Sequence, residues 1–235
     1  MQSKQVTTLV FFKYKGVPKK FWAFCMMLFA HFYLKKLEGQ MFYKLLGTGQ
    51  AGFSPKPDWS TYGLLQTWES QAHADAFFAQ SKLMTLYKSK AREHYGLFLK
   101  NMISRGEWSG ANPFIKNDDL DTKINTIVVI TRATIKTSML WRFWKFVPHS
   151  QKSIWNNKGL VLTMGIGEVP FRQMATFSLW KNQTSLDQFA YQTKNHVDAI
   201  KKTRELNWYN EELFSRFQPY QSFGTWNDKD PLNNI

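Results

Sequence analysis

The sequence predicts an α+β protein of two similar halves, each with the element order βαββαβ, and three observations carry that prediction. Thr8-Leu9-Val10-Phe11-Phe12 is echoed by Thr126-Ile127-Val128-Val129-Ile130, and Gly47-Thr48-Gly49 with Phe53 by Gly165-Ile166-Gly167 with Phe171, both at an offset of 118. Trp68, Asp75 and Phe77 are echoed by Trp180, Asp187 and Phe189, and Arg92-Glu93 by Arg204-Glu205, at an offset of 112. The offset changes across the insert Ser54-Pro55-Lys56-Pro57-Asp58. Apolar alternation and helical periodicity then follow one another in the same order in both halves. The expected architecture is two tandem ferredoxin-like repeats packed as a single-chain dimeric α/β barrel.

In the first half, Val6–Phe12 reads as a strand and Pro18–Lys36 as a helix with proline in its first turn. Phe42–Leu46 and Tyr62–Trp68 read as strands, Gln71–Tyr87 as a helix and Tyr95–Ile103 as the closing strand. In the second half, Asn125–Arg132 is a strand, Met139–Val147 a short helix, and Leu160–Gly165 and Ala175–Trp180 are strands. Ser185–Arg204 is a helix, and Leu213–Phe223 closes the unit as a partly extended segment. Ser70 and Ser185 are the expected N-caps. The polar stretch from Ser104 to Lys123 separates the halves, giving a unit over 1–104, a linker over 105–123 and a second unit over 124–235.

Composition narrows the function. Hydrophobic residues make up 43% and aromatics 17% of the 235-residue chain, enough to build a core and to exclude general disorder. The single Cys25 rules out an intrachain disulfide framework and reads as a small buried hydrophobe. A net charge of +14 calls for an acidic partner or surface. The charge is concentrated: residues 1–50 hold eight lysines against one acid, Glu38. Between those lysines lies Phe21-Trp22-Ala23-Phe24-Cys25-Met26-Met27-Leu28-Phe29-Ala30, shorter than the roughly 20 apolar residues a transmembrane helix needs. It reads either as a core helix or as one that docks on an anionic bilayer. Phe21, Trp22, Phe29, Phe32 and Tyr33, flanked by Lys19, Lys20, Lys35 and Lys36, are the residues expected to be exposed in the second case. A cytoplasmic protein held peripherally on the inner face of the cell membrane is the corresponding localisation.

Two motifs do not survive their context. Gly47-Thr48-Gly49-Gln50-Ala51-Gly52 spells GxGxxG, but a dinucleotide site needs a helix beginning at those glycines, and Ser54-Pro55-Lys56-Pro57 prevents one. Tandem ferredoxin-like units with basic charge suggest RNA recognition, yet neither half carries the aromatic strand signature, so no nucleic-acid partner is expected. Neither HExxH nor CxxC occurs, which leaves a multi-ligand metal centre without support. Among His31, His73, His94, His149 and His196, the last stands apart. At the 112 offset it faces Met84, on a helix whose Phe189, Ala199 and Ile200 can turn inward, and one neutral imidazole suffices for an axial haem bond.

Phe189-Ala190-Tyr191, His196, Lys201-Lys202-Thr203-Arg204 and the run Trp208-Tyr209-Asn210-Glu211-Glu212-Leu213-Phe214-Ser215-Arg216-Phe217 closely resemble the spheroidene monooxygenase family. So do Pro57-Asp58-Trp59, Trp108-Ser109-Gly110, Trp141-Arg142-Phe143-Trp144 and Gly224-Thr225-Trp226, so that the resemblance spans nearly the whole chain. It implies a monooxygenase with haem b that uses O₂ to hydroxylate, and in a second round ketonise, the C-2 position of acyclic carotenoids. His196 is then the expected iron ligand, Arg172 and Arg204 the expected propionate partners, and Arg132 and Arg142 the expected residues beside iron-bound oxygen. Electrons would come from a donor such as a ferredoxin, whose acidity suits a basic surface. The first fifty residues, richer in lysine than the family resemblance leads one to expect, leave the acyclic substrate more open than the chemistry. A non-catalytic binder of carotenoid, haem or lipid, and a different ferredoxin-like oxygenase or haem-processing protein, are the competing readings.

Overall fold

The computed structural model describes residues 4–50, 54, 56–151, 157–192 and 205–234. Eight antiparallel strands close into one barrel: β1 (Val6–Lys13), β2 (Gln40–Gly49), β3 (Pro57–Trp68), β4 (Glu93–Gly106), β5 (Ile127–Ile135), β6 (Leu160–Val169), β7 (Gln173–Trp180) and β8 (Tyr209–Gly224). Their order around the barrel is β1-β3-β2-β6-β7-β5-β8-β4. Each run of four therefore has the neighbour order fourth, first, third, second. Helices α1 (Val17–Phe29), α2 (His31–Leu34), α3 (Gln71–Gln80) and α4 (Lys82–Lys90) belong to the first half, α5 (Leu140–Gln151) and α6 (Gln183–Asp187) to the second.

Strand alternation sorts the side chains. One face of every strand enters the barrel, where Leu9, Phe11, Leu65 and Leu97 from the first half meet Val128, Ile130, Phe177 and Phe217 from the second in a single core. The other face carries helices in the first half: Val10, Phe12, Leu45 and Leu64 pack against Ala23, Met26, Ala30 and Leu34 of α1 and α2, and against Phe77, Leu83, Met84 and Tyr87 of α3 and α4.

Several boundaries differ from the sequence reading, each for a local reason. The helix expected over Gln71–Tyr87 breaks at Ser81, whose backbone is extended and whose hydroxyl accepts from the Met84 N–H to cap α4. Ser70 stands at the N-cap of α3 but makes no capping bond; its hydroxyl pairs with His73 Nδ1 at 3.1 Å. Ser185 is not a cap, since Asn182 Oδ1 accepts the Ser185 N–H at 2.9 Å. The helix expected from Ser185 gives way to α6 and a π-helical turn over Gln188–Gln192; residues 193–204 lie outside the described residues. The segment Leu213–Phe223 is fully strand, inside the longer β8. Cys25 is half-buried rather than buried.

The register between the halves also differs from the offset of 118. Val6 pairs with Trp68 in β1–β3, and Ile127 pairs with Trp180 in β5–β7, so Val6 answers to Ile127 and the offset is 127 − 6 = 121. The difference of three residues is odd, and an odd slip moves every side chain to the other face. Leu9 thus corresponds to Ile130, both inside the barrel, and not to Ile127, which packs outside.

The two seams between the halves are unequal. From Tyr95↔Gly224 to Gly106↔Leu213, β4 and β8 pair along almost their whole length. By contrast, β2 and β6 meet only at Gly47↔Gly167 and Thr48↔Ile166.

Candidate functional site

The outer face of the second half-sheet differs from that of the first at its centre. In the first half one cross-strand row reads Leu45, Leu64, Val10, Gly96, with Leu64 and Val10 fully buried beneath helices and the Phe223 ring over Gly96. The corresponding row in the second half is Gly165, Thr176, Thr131, ending on Phe214 of β8. Thr131 is exposed although it lies mid-strand. Two leucines and a valine in one half thus answer to a glycine and two threonines in the other, a floor of small side chains of which Thr131 is exposed, Thr176 half-buried and Gly165 buried. Beside it, Arg216 of β8 lies half-buried over the Phe214 ring at 5.4 Å, with Nη2 3.9 Å from Asp187. Its Nε is buried and has no hydrogen-bond partner among the described residues. A buried guanidinium N–H without an acceptor is costly and is a ready donor to an anionic ligand.

The next row along the same face crosses the narrow seam: Phe12, Tyr62, Gly47, Gly167, Met174, Ala133. Two adjacent glycines leave a gap between Tyr62 and Met174, and there the structure has a mostly apolar cavity of about 190 Å³. Phe24 and Met27 of α1, Trp59 of β3 and Phe171 in the β6–β7 turn form its outer part. Tyr62 Oη is buried with no hydrogen-bond partner among the described residues. Burial foremost, then Asp58 and Cys25, pushes its phenol up to about 12, so it stays a neutral donor. Met174 of the pocket and Thr176 of the floor are two residues apart on one strand face, about 7 Å by strand rise.

A polar network lies on the inner side of the pocket. Glu168 of β6, a pocket residue, accepts from Lys44 Nζ at 2.5 Å and from Trp108 Nε1 at 2.6 Å. Arg132 of β5, 2% exposed, pairs with Glu211 of β8, lies 3.7 Å from Glu168 and stacks over the Trp108 ring at 5.7 Å. Burial pushes the Glu211 carboxyl up, but the N–H groups of Gly110 and Ser109 and the Arg132 guanidinium more than offset this and hold it below its ordinary value.

The arginines expected to act together are apart. Arg132 points into the barrel and is held by two carboxylates; Arg142 on α5 and Arg172 in the β6–β7 turn are exposed. His196 and Arg204 lie outside the described residues. His31 bonds Tyr43 Oη at 3.0 Å and His94 sits half-buried against Phe12 and Phe223, so both have structural partners. Among the described residues no cluster of His, Cys, Asp and Glu could hold a bare metal ion. Sequence reasoning missed Arg216, Tyr62 and Glu168. Arg216 stands within the family run, but nothing in one sequence says which arginines are left with an unpaired buried N–H on folding, as Arg216 and Arg132 are at Nε among the described residues.

No family model matches the chain. In sequence it is 34% identical over 230 residues to a spheroidene monooxygenase of Cereibacter sphaeroides, covering 97% of this chain and 71% of that protein. It is 31% identical over 229 residues to a spheroidene monooxygenase of Rhodobacter capsulatus, covering 97% and 95%. A third, from Rubrivivax gelatinosus, is 34% identical over 189 residues, or 80% of this chain and 72% of that one. In fold the chain is similar to an aldoxime dehydratase solved with butyraldoxime, with a TM-score of 0.64 at 7% identity over 92% of this chain and 80% of that one. A second aldoxime dehydratase structure gives 0.63 at 9% identity over 97% and 82%.

Proposed function

The chain belongs to the spheroidene monooxygenase family and is a monooxygenase, and on that premise we propose that it oxygenates an acyclic carotenoid at C-2 with haem b, O₂ and two external electrons. One observation of this structure carries the haem reading. The second half-sheet carries a floor of small side chains, Gly165, Thr176 and the exposed Thr131, where the first half has packed leucines and valine, with the Arg216 guanidinium and its unpaired buried Nε beside it. A flat, largely apolar group with anionic edges fits such a floor.

Haem iron, when bound, would supply the activation of O₂ that hydroxylation of a C-2 methylene beside the polyene requires. The rest falls to the chain. His196 is assigned the iron through one imidazole nitrogen, its other N–H needing a backbone or carboxylate acceptor to fix the ring. Arg216, with Arg204, is assigned to the propionates; Arg172, beside Ile135 at the far end of this face from Arg216, is exposed and stands apart from them. Tyr62, Met174 and Ile166 line the pocket that holds the end of the polyene, one row from the floor, and their apolar bulk keeps water out. The cavity takes a chain end rather than a whole carotenoid. Arg132, itself enclosed by carboxylates, adds its charge to Glu168 at the pocket wall, which Lys44 and Trp108 orient; Arg142 lies at the surface. One oxygenation gives the 2-hydroxy carotenoid. A second at the same carbon gives a gem-diol, which loses water to the ketone. The basic surface suits an acidic electron donor such as a ferredoxin. The equal strand order of the two halves supports reading them as two copies of one ferredoxin-like unit, of which the second kept or gained the cofactor.

His196→Ala is expected to remove the Soret band and carotenoid oxidation together while the near-ultraviolet circular dichroism stays that of the folded protein. A variant that retains both haem and activity overturns the ligand. A wild-type protein that shows no Soret band after incubation with haem overturns the cofactor.

A further inference from the structure

α1 is apolar on both sides, and only one side is covered. Ala23, Met26, Ala30 and Leu34 face the sheet and are buried. On the opposite side Phe21, Leu28 and Phe32 are 67%, 68% and 78% exposed, and Phe24, Phe29 and Tyr33 are exposed beside them. Positions 21, 24, 28 and 32 fall on one stripe of a 3.6-residue period, and Ala30, itself helical, carries that stripe from α1 into α2. Lys19 stands at one end and Lys35 and Lys36 at the other, all exposed. Trp22 departs from the sequence reading: it is half-buried, edge-on to Tyr14 and Tyr87, with Lys90 Nζ 5.4 Å from its ring centre. No described helix is long and apolar enough to cross a membrane.

We propose that this face docks on an anionic lipid bilayer and that the seam pocket opens onto the acyl region there. The inference deepens the function proposed above by naming the phase from which substrate enters, and rests on that reading only for the pocket's ligand. Phe24 belongs both to the exposed stripe and to the pocket, and packs edge-on against Trp59, 51% exposed, with ring centres 5.1 Å apart. Phe171 completes the mouth from the second half and is exposed too. A helix with aromatic and leucine side chains outward and lysines at its ends lies in the plane of a bilayer surface, its stripe among the acyl chains and its ammonium groups at phosphate level. A second copy of this chain does not answer the charge: it would bring the same lysines together, on a protein of net charge +14.

The test is flotation of the purified full chain with carotenoid-free vesicles of phosphatidylcholine alone and of phosphatidylcholine with phosphatidylglycerol in equal parts. The protein is expected to float with the mixed vesicles and to release at raised salt. The triple change Phe21→Ser, Leu28→Ser, Phe32→Ser lies outside the pocket, and should cut partitioning by about tenfold or more with unchanged circular dichroism. Changing Lys19, Lys35 and Lys36 to Glu should do the same for the mixed vesicles. Wild-type protein that stays at the bottom of the gradient, or a serine variant that floats equally well, overturns the proposal. So does a wild-type dimer in light scattering that the serine changes dissociate, for the face would then join two copies. Flotation without substrate is blind to haem and turnover, so its failure leaves the function standing. His196→Ala should float like the wild type.

Discussion

Thr131 and Val10 hold the same place in the two half-sheets, and the exchange of a buried valine for an exposed threonine is the smallest sign that the second half does something the first does not. Arg132 is a different case, a guanidinium held inside the barrel and set against the pocket-wall carboxylate Glu168. A guanidinium that is 2% exposed must keep its carboxylates, and Glu168 and Glu211 supply them. His94 carries a testable pH dependence. Burial foremost, then Lys88, lowers its pKa from the ordinary 6.5, with Glu93 partly opposing. Across the window from that value down to the folded one, the unfolded chain takes up a proton that the folded chain refuses. Stability is therefore full above the ordinary value and falls as the pH drops through it. Urea midpoints measured from about pH 7 to about pH 5 should decline for the wild type, and His94→Phe, placed between Phe12 and Phe223, should remove most of that slope. The carboxylates Glu211 and Asp230, held below their ordinary values, lose their contribution only at lower pH and leave this window unaffected.

Strands explain what the sequence let one read and what it hid. Each expected strand is present, and β2, β3, β4 and β8 run longer than their apolar cores because pairing continues past the last large side chain. The alternation that located β1 and β5 could not set their register, since Leu9-Val10-Phe11-Phe12 and Ile127-Val128-Val129-Ile130 are apolar on both faces and match at odd and even shifts alike. Tryptophans did better: Trp68 and Trp180 end their strands at the same register, and their spacing of 112 survives in the structure. Gly47-Thr48-Gly49 was legible as something other than a nucleotide loop, but its use was not, because Gly47 meets Gly167 across the chain. A Cβ at Gly47 would have its nearest neighbour, Gly167 O, at 3.9 Å, ordinary van der Waals contact. Gly47→Leu should therefore leave the urea midpoint nearly unchanged while filling the pocket. On the proposed function, KM for the carotenoid should rise by about tenfold or more, equivalent to about 1.4 kcal/mol of lost binding, with the absorption spectrum that of the wild type. Normal KM in this variant would place the substrate elsewhere.

At the scale of the whole molecule the two halves share one interior. The segment expected as a linker over 105–123 does not merely join them: Trp108 and Phe114 leave it to enter the barrel, with Phe114 edge-on to Phe217 at 4.9 Å and Trp108 bonded to Glu168. Asn117 is buried as well and donates from its side chain to the Gln5 carbonyl at 3.0 Å. The C-terminal tail returns in the same way. Trp226 packs 6.1 Å from Phe11, and Asp230 accepts from Tyr95 Oη and Ser222 Oγ across the β4–β8 seam. Polarity marked 105–123 as a connection, and no local pattern could reveal that two of its aromatics belong to a core built from both sides. A half-barrel taken alone would expose the inner faces of four strands, with Leu9, Phe11, Leu65 and Leu97 in one case and Val128, Ile130, Phe177 and Phe217 in the other. Burial of such faces is the main favourable term in folding, and net stabilities of about 5–15 kcal/mol leave no margin for losing it. The full chain should accordingly unfold in one transition, with far-ultraviolet circular dichroism, tryptophan fluorescence and near-ultraviolet dichroism coincident in urea. Residues 1–106 and 107–235 expressed separately should each show no near-ultraviolet signal and no cooperative transition, and should recover both when mixed. A first half that folds alone with its own sharp midpoint would mean that the outer core beneath α1 to α4, and not the shared barrel, governs stability.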